Sequence, residues 1–369
     1  AFNLFELSSN ADLTTKEIKL ETNFGSQTKN DTSIRVIEDD LGGSLGGLFK
    51  YRNEVLGPTM RDVGQLSVAF ADAMNTQNKL GMDLDGQIGG NIFDIPSFRG
   101  LAYEDTNGDY IVTAQITEGK GAELTDADYK IEVTAVAAGV PSEIEITFLN
   151  PDGTPKKDGS GYDIIFSNFA VTSGFNELPG GIEIDFAGSD PYTVGNEFLI
   201  QPTKDVASNI SLATNRPEDL AFANPVRAGA DSTNLGSANV IDVTVSRTSA
   251  FDGAGGLLNS APAQISFTAA DTYKVLDGSG KLLATVPVTT DLTNLISQAG
   301  ISPDPGFDLS LDGVPKAGDS FSISYNTDGF NDNSNALNLA AIQNENTVQV
   351  SSEATNTPRT FQDAYASMV

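Results

Sequence analysis

The chain has 369 residues, of which 50 are acidic and 21 basic, so its formal net charge is −29. A negative field of this size repels nucleic acid and anionic membrane surfaces, and no stretch approaches the about 20 apolar residues of a membrane span, so neither is an expected partner. Cysteine, histidine and tryptophan are absent, which excludes disulfides, thiol catalysis, Cys/His zinc sites and general bases built on imidazole.

Short strands are predicted in the first 40 residues, where Ile18 and Leu20 alternate with polar side chains. A glycine-rich segment, 42–47, then leads into the strongest helical pattern of the chain, roughly residues 44–79. Apolar side chains recur there every three or four residues. They are Leu45, Leu48, Val55, Leu56, Met60, Val63, Leu66, Phe70 and Met74, with Arg52 interrupting them. Such a stripe is more often core than partner surface, and we expect part of it to be both.

The helical pattern contains one strong helix breaker, Pro58. The apolar stripe nevertheless stays in register across it, because Leu56 and Met60 are four residues apart. We therefore predict one kinked helix that ends with Gly81 as its C-terminal cap.

From about residue 97 the apolar period changes to two, as in the run Ile144, Ile146 and Phe148. This alternation, with turn residues between the runs, predicts antiparallel β-structure with one solvated face. An internal repeat adds to this, because segments 181–200 and 306–323 share the same order of glycines, alternating apolar residues and a proline. The repeat predicts two related β domains in tandem.

Three further helical segments are predicted later in the chain. The first is a short connecting helix over 216–223, with Asn215 as its cap and Pro217 in its first turn. The second is expected to have Ser334 or Asn335 as its N-terminal cap. The third starts after Thr357 and Pro358, residues 360–363 resemble its capping box, and its side chains Phe361, Tyr365 and Met368 lie on one face.

Two acidic segments can be compared with metal-binding loops. Segment 105–109 opens like a calcium loop, but Tyr110 stands where an EF-hand needs glycine and Ile116 where it needs glutamate. A β-turn explains the segment better. Asp83 and Asp85 are likewise expected to form a turn. No metal and no cofactor are therefore predicted.

Catalysis is not expected either. Fifty acidic residues supply many accidental carboxylate pairs, but glycoside hydrolysis also needs aromatic platforms, and tryptophan is absent. Segment 42–47 lacks the Gly-Lys-Ser/Thr of a phosphate-binding loop. Its glycines are expected to let helix and strand backbones approach closely.

Several segments together resemble the flagellar hook-associated protein 1 family. They are GSLGGLFKYR at 43–52, LSVAFADAMNTQ at 66–77 with its continuation at 81–86, the linker-like 209–228, and TFQDAYASMV at 360–369. They occur in the order of the family and span nearly the whole chain. The sequence departs from the usual pattern at Asn78, where many members have histidine.

The resemblance implies an α+β fold in which both chain ends build one helix-containing shaft domain. The shaft comprises 1–97 and 331–369, and two tandem antiparallel β domains, 98–208 and 230–330, project from it. A linker with a short helix, 209–229, separates the β domains.

The family motifs also mark candidate packing or assembly residues. These are Ser44, Leu45, Gly46, Gly47, Leu48, Arg52, Phe70, Asn75, Gln77, Phe361 and Tyr365. No catalytic, cofactor-binding or metal-binding residue is among them.

In function, the resemblance implies a non-catalytic axial protein of the extracellular bacterial flagellum that joins hook to filament. It implies export through the flagellar type III apparatus, which takes unfolded chains, and fits the absence of cysteine. The implied partners are further copies of the chain, hook protein, the second junction protein and an export chaperone. The family's terminal coiled-coil segments are missing from both ends, so we expect this fragment to be monomeric.

The alternative is an extracellular adhesin or a carbohydrate-binding protein, because tandem acidic β domains are common in both. Helical sequence at both ends of the β domains favours the axial protein, since an adhesin array does not need it. A related axial protein, such as hook protein or flagellin, would carry different motifs.

Overall fold

The computed structural model describes residues 42–103, 106, 108–252, 255–288, 291–327, 329–350 and 357–368, together with three strands before residue 42. The described residues form two units. The first draws on Ala1–Ala73, Asp94–Ser211 and Gln343–Val369, and the second on Met74–Phe93 and Leu212–Ile342. These units differ from the predicted three-part division, whose boundaries stay a prediction. Within the ranges just given, no helix combines the length and apolar character that crossing a bilayer requires.

Three short strands precede the main helix. They are β1 (Phe5–Ser9), β2 (Lys16–Glu21) and β3 (Ser33–Arg35), which form an antiparallel sheet in that order. The alternation at Ile18 and Leu20 falls on β2, so the strand prediction is confirmed there.

The predicted long helix is present from Gly43 to Lys79. It consists of α1 (Gly43–Tyr51), one π-helical turn (Arg52–Leu56) and α2 (Gly57–Lys79). In the wide turn the Gly57 N–H donates to the carbonyl of Arg52, five residues back. The π turn ends just before the proline ring at position 58, which lacks the N–H of a regular helix. The chain thus continues as one helix through Pro58, as the register of the apolar stripe predicts.

The prediction for the end of this helix is wrong in one respect. Gly81 does not adopt the left-handed conformation of a C-terminal cap, because it is not among the residues with positive φ. Its N–H donates to the Asn78 carbonyl at 3.0 Å, which closes a tight final turn. Glycine is required there for space, since a Cβ would lie 2.4 Å from the carbonyl oxygen of Ala221.

The first unit contains a two-layer β-sandwich. Its strands are β5 (Phe98–Arg99), β6 (Leu101–Ala102), β7 (Tyr110–Ile116), β8 (Asp128–Ala137), β9 (Val140–Leu149), β10 (Ile165–Ala170), β11 (Asn176–Leu178), β12 (Ile182–Gly188) and β13 (Glu197–Ile200). One sheet has the order β10-β9-β8-β13-β6 and the other the order β11-β12-β7-β5. The inward side chains of both sheets share one buried apolar cluster, which includes Ile131, Ile146 and Ile184. The two-residue strands β4 (Phe93–Asp94) and β14 (Ser211–Leu212) flank the sandwich in sequence.

The second unit contains a sandwich of the same type. Its strands are β15 (Val226–Ala230), β16 (Asn239–Val245), β17 (Phe251–Asp252), β18 (Gly256–Leu257), β19 (Pro262–Ala269), β20 (Thr272–Asp277), β21 (Leu282–Pro287), β22 (Phe307–Asp312) and β23 (Ser320–Tyr325), with the short helix α3 (Leu295–Gln298) before β22. The larger sheet has the order β15-β23-β19-β20-β21, and β16 pairs with β22. Ile265, Phe267 and Phe321 lie in its core.

The two sandwiches repeat one topology, which confirms the predicted internal repeat. Read from the opposite edge, the five-stranded order β21-β20-β19-β23-β15 matches β10-β9-β8-β13-β6 strand by strand. Gly181 and Gly306 occupy equivalent positions before β12 and β22, with φ of 76° and 80°. A Cβ at either one would lie within 2.5 Å of a carbonyl oxygen, that of Lys120 or Arg247, so glycine serves the same purpose in both copies.

The predicted connecting helix over 216–223 is reduced to one 3₁₀ turn, Pro217–Asp219, whose cap position is Arg216 and not Asn215. Bonds to distant residues hold the rest of the segment extended. The Ala221 N–H donates to Asn78 Oδ1 at 2.8 Å, and Ala223 pairs with Met82 in a β-bridge. Tertiary contacts thus override the local helical preference.

Both predicted C-terminal helices are present, as α4 (Ser334–Ala341) and α5 (Phe361–Met368). The cap position of α4 is Asn333, one residue earlier than predicted. Before α5 the predicted capping pair is confirmed, because Thr360 Oγ1 accepts from the Asp363 N–H at 3.1 Å. Short 3₁₀ turns also occur at Gly121–Glu123, Val206–Ser208, Gly329–Asn331 and Ile342–Asn344.

Candidate assembly surface

The first family motif, at 43–52, forms α1 and the start of the π turn. None of the nine residues of α1 is buried. Ser44, Leu45, Gly47 and Leu48 are exposed, and Gly46 is half-buried. No described residue lies within 4 Å of where a Cβ would stand at Gly42, Gly43 or Gly47. The expected close approach of helix and strand backbones is therefore not seen, and the glycine at 43 instead adopts φ of +70° where the chain enters the helix.

Arg52 is held by its own helix. Its guanidinium carbon lies 5.0 Å from the centre of the Phe49 ring, and its Nε donates to Asn53 Oδ1 at 2.8 Å. The cation thus covers part of one aromatic face beside the π turn.

The apolar side chains of the long helix mostly face solvent, so less of the stripe is core than expected, and the expectation that part of it is partner surface stays a prediction. We call seven of them the outer stripe: Leu45, Leu48, Val55, Leu56, Met60, Val63 and Phe70. Each is between 41% and 66% exposed. A row of large apolar side chains at helical spacing is unusual on a free surface and typical of a contact surface.

The opposite side of the helix is buried and largely polar. Arg61, Gln65 and Asp72 are each at most 6% exposed. Arg61 forms an ion pair with Asp128, at the start of β8, in which its second nitrogen donates to Oδ2 at 2.8 Å. The amide of Gln65 donates to the Leu124 carbonyl at 2.6 Å.

The carboxylate of Asp72 completes this set of polar contacts. It accepts from the N–H groups of Gly119 and Gly121 at 3.0 and 2.7 Å. All these partners lie between β7 and the start of β8. The helix therefore docks on one end of the first sandwich through hydrogen bonds, in which the buried side chains of Arg61, Gln65 and Asp72 each have a matching donor or acceptor.

Small residues make this docking close. A Cβ at Gly64 would stand 1.9 Å from the carbonyl oxygen of Thr203, in the loop after β13. Val68 and Val206 join the buried apolar cluster of the sandwich. We call the side of the helix that faces the sandwich its inner side. This side packs closely against the sandwich, whereas the large apolar side chains of the outer stripe lie on the other side of the helix.

The C-terminal candidates Phe361 and Tyr365 lie on α5, which packs near the end of the outer stripe. The Phe361 ring meets Phe70 edge to face, with 5.6 Å between ring centres. Ala69 and Ala364 are buried in the same small cluster. Tyr365 is 62% exposed, so only part of the predicted apolar face of α5 is used in this unit.

A chain of amides ties the C-terminal segment to the helix. Gln349 Nε2 donates to Gln65 Oε1 at 3.0 Å, and Arg359 donates to Gln349 Oε1 at 3.0 Å. Nearby, burial raises the pKa of Asp62, with Asp126 adding to the rise and Arg359 opposing it. Residues from both ends of the sequence thus share one unit with the first sandwich.

Asn75 and Gln77 belong to the second unit, where both serve packing. Asn75 Oδ1 accepts from the N–H groups of Ile92 and Phe93, each at 2.8 Å, and its amide donates to the Phe93 carbonyl at 2.8 Å. Gln77 donates to Asn335 Oδ1 at 2.6 Å. Asn78, which replaces the usual histidine, similarly accepts from the Ala221 N–H.

The two acidic segments have different outcomes. Asp83 Oδ1 accepts from the Asp85 and Gln87 N–H groups at 2.9 and 2.8 Å, so the predicted turn is confirmed. Of segment 105–109, Asp105 and Asn107 lie outside the described residues. Elsewhere in the described ranges, no cluster of three or more potential metal ligands occurs.

Arg61, Gln65 and Asp72 are not among the residues that the family motifs or the apolar stripe predict. A usable signal was present, because they share the spacing of four and seven with Val68 on the side opposite the apolar stripe. Their partners, however, lie 47 to 67 residues further along the chain and are not predictable from spacing.

Comparisons with a family model, with known proteins and with solved structures agree with one another. The family model for the flagellar hook-associated protein FlgK helical domain matches residues 2–93. Flagellar hook-associated protein 1 of Escherichia coli is 29% identical over 203 residues, which are 54% of this chain and 32% of that protein. The Salmonella typhimurium protein of the same name is 28% identical over 192 residues, 51% of this chain and 30% of that protein.

Among solved structures, the flagellar hook junction protein FlgK from Burkholderia pseudomallei matches with a TM-score of 0.69 and 23% identity. The match covers 99% of this chain and 64% of that one, and shows that the two share a fold. The aligned part spans about a third of the length of the curated relatives. The adhesin alternative has no support among these matches, and the α+β fold is as predicted. The chain thus resembles flagellar hook-associated protein 1 in sequence, and it shares the fold of a flagellar hook junction protein.

Proposed function

We propose that this chain is part of a structural, axial component of the bacterial flagellum that joins the hook to the filament. It acts outside the cell and mechanically, without catalysis. The similarity to flagellar hook-associated protein 1 supports this reading, as does the packing of N- and C-terminal segments into one unit, which an axial protein needs and a string of adhesin domains does not.

The observation that carries the proposal is the orientation of the long helix. Its polar side is fixed to the first sandwich by Arg61, Gln65 and Asp72, which leaves the outer stripe in solvent. Fully burying one such side chain contributes about 1.5–3 kcal/mol, so seven of them form a strong contact surface. The occupant we propose is an amphipathic helix of the axial assembly, because side chains at spacings of three and four form the ridges that pack into the grooves of another helix.

The partners that we propose are further copies of this protein, hook protein, the second junction protein and, before export, a chaperone. By itself the chain is proposed to stay monomeric, because a net charge of −29 opposes the approach of like copies. Assembly then depends on specific helix packing strong enough to overcome that repulsion.

Charges placed in the outer stripe test this proposal. Leu48→Glu together with Leu56→Glu, introduced into the full protein in cells, is expected to leave folding intact because both side chains are exposed here. The two carboxylates would have to be buried against the partner helix, which costs several kcal/mol. We expect filaments to be shed into the medium and swimming to fall at least tenfold, as seen by electron microscopy and in soft agar.

The matched control is Leu235→Glu together with Val314→Glu, which adds the same charge at apolar side chains that are 75% and 63% exposed in the second unit. It should swim normally. Circular dichroism of both purified variants should match the parent. Normal filaments on cells with the stripe variant would contradict the proposal.

A further inference from the structure

The second unit contains a groove of about 320 Å³. It lies where the segment after the long helix meets the segments before β15 and after β23. Its floor is apolar, because Met82 and Ala223 are 3% and 5% exposed and pack together. A methionine floor adapts readily to the shape of an inserted side chain.

The walls of this groove are large apolar side chains that face solvent. Leu84, Phe222 and Phe330 are 51%, 46% and 72% exposed and come from three separate segments. Three large apolar groups around one concave site form a patch of the kind that marks a binding surface. We call it the Phe330 groove.

Hydrogen bonds fix the shape of the Phe330 groove in advance. The carboxylate of Asp332 accepts from the Asn224 N–H and from the Asn326 side-chain amide at 3.1 and 2.9 Å. These bonds link the segment before β15 to the segment after β23. The Tyr325 hydroxyl donates to the Gly86 carbonyl at 2.8 Å. A site whose walls are already ordered loses little conformational entropy on binding.

The charged side chains that line the groove are all acidic: Asp83, Asp85 and Asp332. Arg216 pairs with Asp85 at 2.6 Å from outside the lining, so the balance at the rim stays negative. A second copy of this chain, with 50 acidic and 21 basic residues, complements such a rim poorly. An apolar side chain flanked by lysine or arginine complements both floor and rim.

We propose that the Phe330 groove binds an apolar side chain, flanked by basic residues, on a different protein of the flagellar axial assembly. The location of that partner rests on the proposed function, whereas the apolar and basic chemistry of the ligand rests on the groove alone. The two parts can therefore be tested separately.

The chemistry is tested by titrating the purified chain with two ten-residue peptides that share a central Phe-Leu. One carries two lysines on each side of it and the other two glutamates. Because the chain has no cysteine, Asn333→Cys provides one thiol for an environment-sensitive dye at an exposed lining position of the groove. We expect the lysine peptide to bind at least tenfold more tightly, and Phe330→Ser to weaken that binding at least tenfold. Val314→Ser, at an exposed site away from the groove, should leave it unchanged.

Equal affinities, no saturable binding, or binding that is insensitive to Phe330→Ser would overturn the proposal. The location is tested with Phe330→Cys in the full protein, by comparing maleimide labelling in purified protein and in isolated flagella. Labelling should slow at least tenfold in flagella, while Leu235→Cys reacts at a similar rate in both. Equal labelling of Phe330→Cys would overturn occupancy of the groove, and absence of the chain from flagella would instead contradict the proposed function.

Discussion

Replacing Arg61 with methionine is expected to lower the free energy of unfolding of the first unit by about 3–5 kcal/mol. Arg61 and Asp128 are 5% and 3% exposed, and the amide of Gln201 also donates to Asp128 Oδ2 at 2.8 Å. Without the guanidinium, the buried carboxylate of Asp128 loses its ion-pair partner, while the neutral Gln201 amide still donates to it. Urea denaturation followed by circular dichroism measures the loss.

The double variant Arg61→Met with Asp128→Leu separates the cost of a buried, unpaired charge from the cost of lost packing. It should recover most of the stability, because an apolar pair of similar volume can replace a buried ion pair at little cost. A single variant as stable as the parent would contradict the docking of the helix that we describe.

Gly64→Ala is expected to destabilise the first unit by about 2–3 kcal/mol. An added Cβ would stand 1.9 Å from the Thr203 carbonyl oxygen and 2.9 Å from its carbon, so the helix has to move away from the sandwich. On an isolated helix the same substitution would be favourable by up to about 1 kcal/mol. The sign of the change therefore reports directly whether this side of the helix is packed.

Gly47→Ala is the matched control, because Gly47 lies in α1 and no described residue stands within 4 Å of its Cβ position. It should raise the free energy of unfolding by up to about 1 kcal/mol. If Gly64→Ala stabilised the chain as Gly47→Ala does, the helix would not dock through its inner side.

Local patterns predicted the elements well where the pattern itself determines the structure. The spacing of three and four between apolar residues predicted a helix that continues through Pro58. The internal repeat predicted two related β domains, which are observed as two sandwiches with one topology. The Thr360 cap is equally local, since donor and acceptor are three residues apart.

The orientation of the long helix could not be predicted in the same way. Periodicity reveals a stripe but not whether the stripe faces the chain's own core or another molecule. Here the inner side is determined by hydrogen bonds to Asp128, Leu124 and Gly121, which the fold brings beside the helix from distant sequence positions. The prediction of a connecting helix over 216–223 was wrong for the same reason, because a hydrogen bond to Asn78 holds Ala221 in an extended segment.

Electron cryomicroscopy of intact hook–filament junctions can show what the outer stripe contacts. We expect density for this chain in the junction, with the helix from Gly43 to Lys79 lying against another helix through Leu48, Leu56 and Val63, and with Arg61 turned toward its own sandwich. A junction in which these three side chains face solvent, or from which the chain is absent, would contradict this expectation.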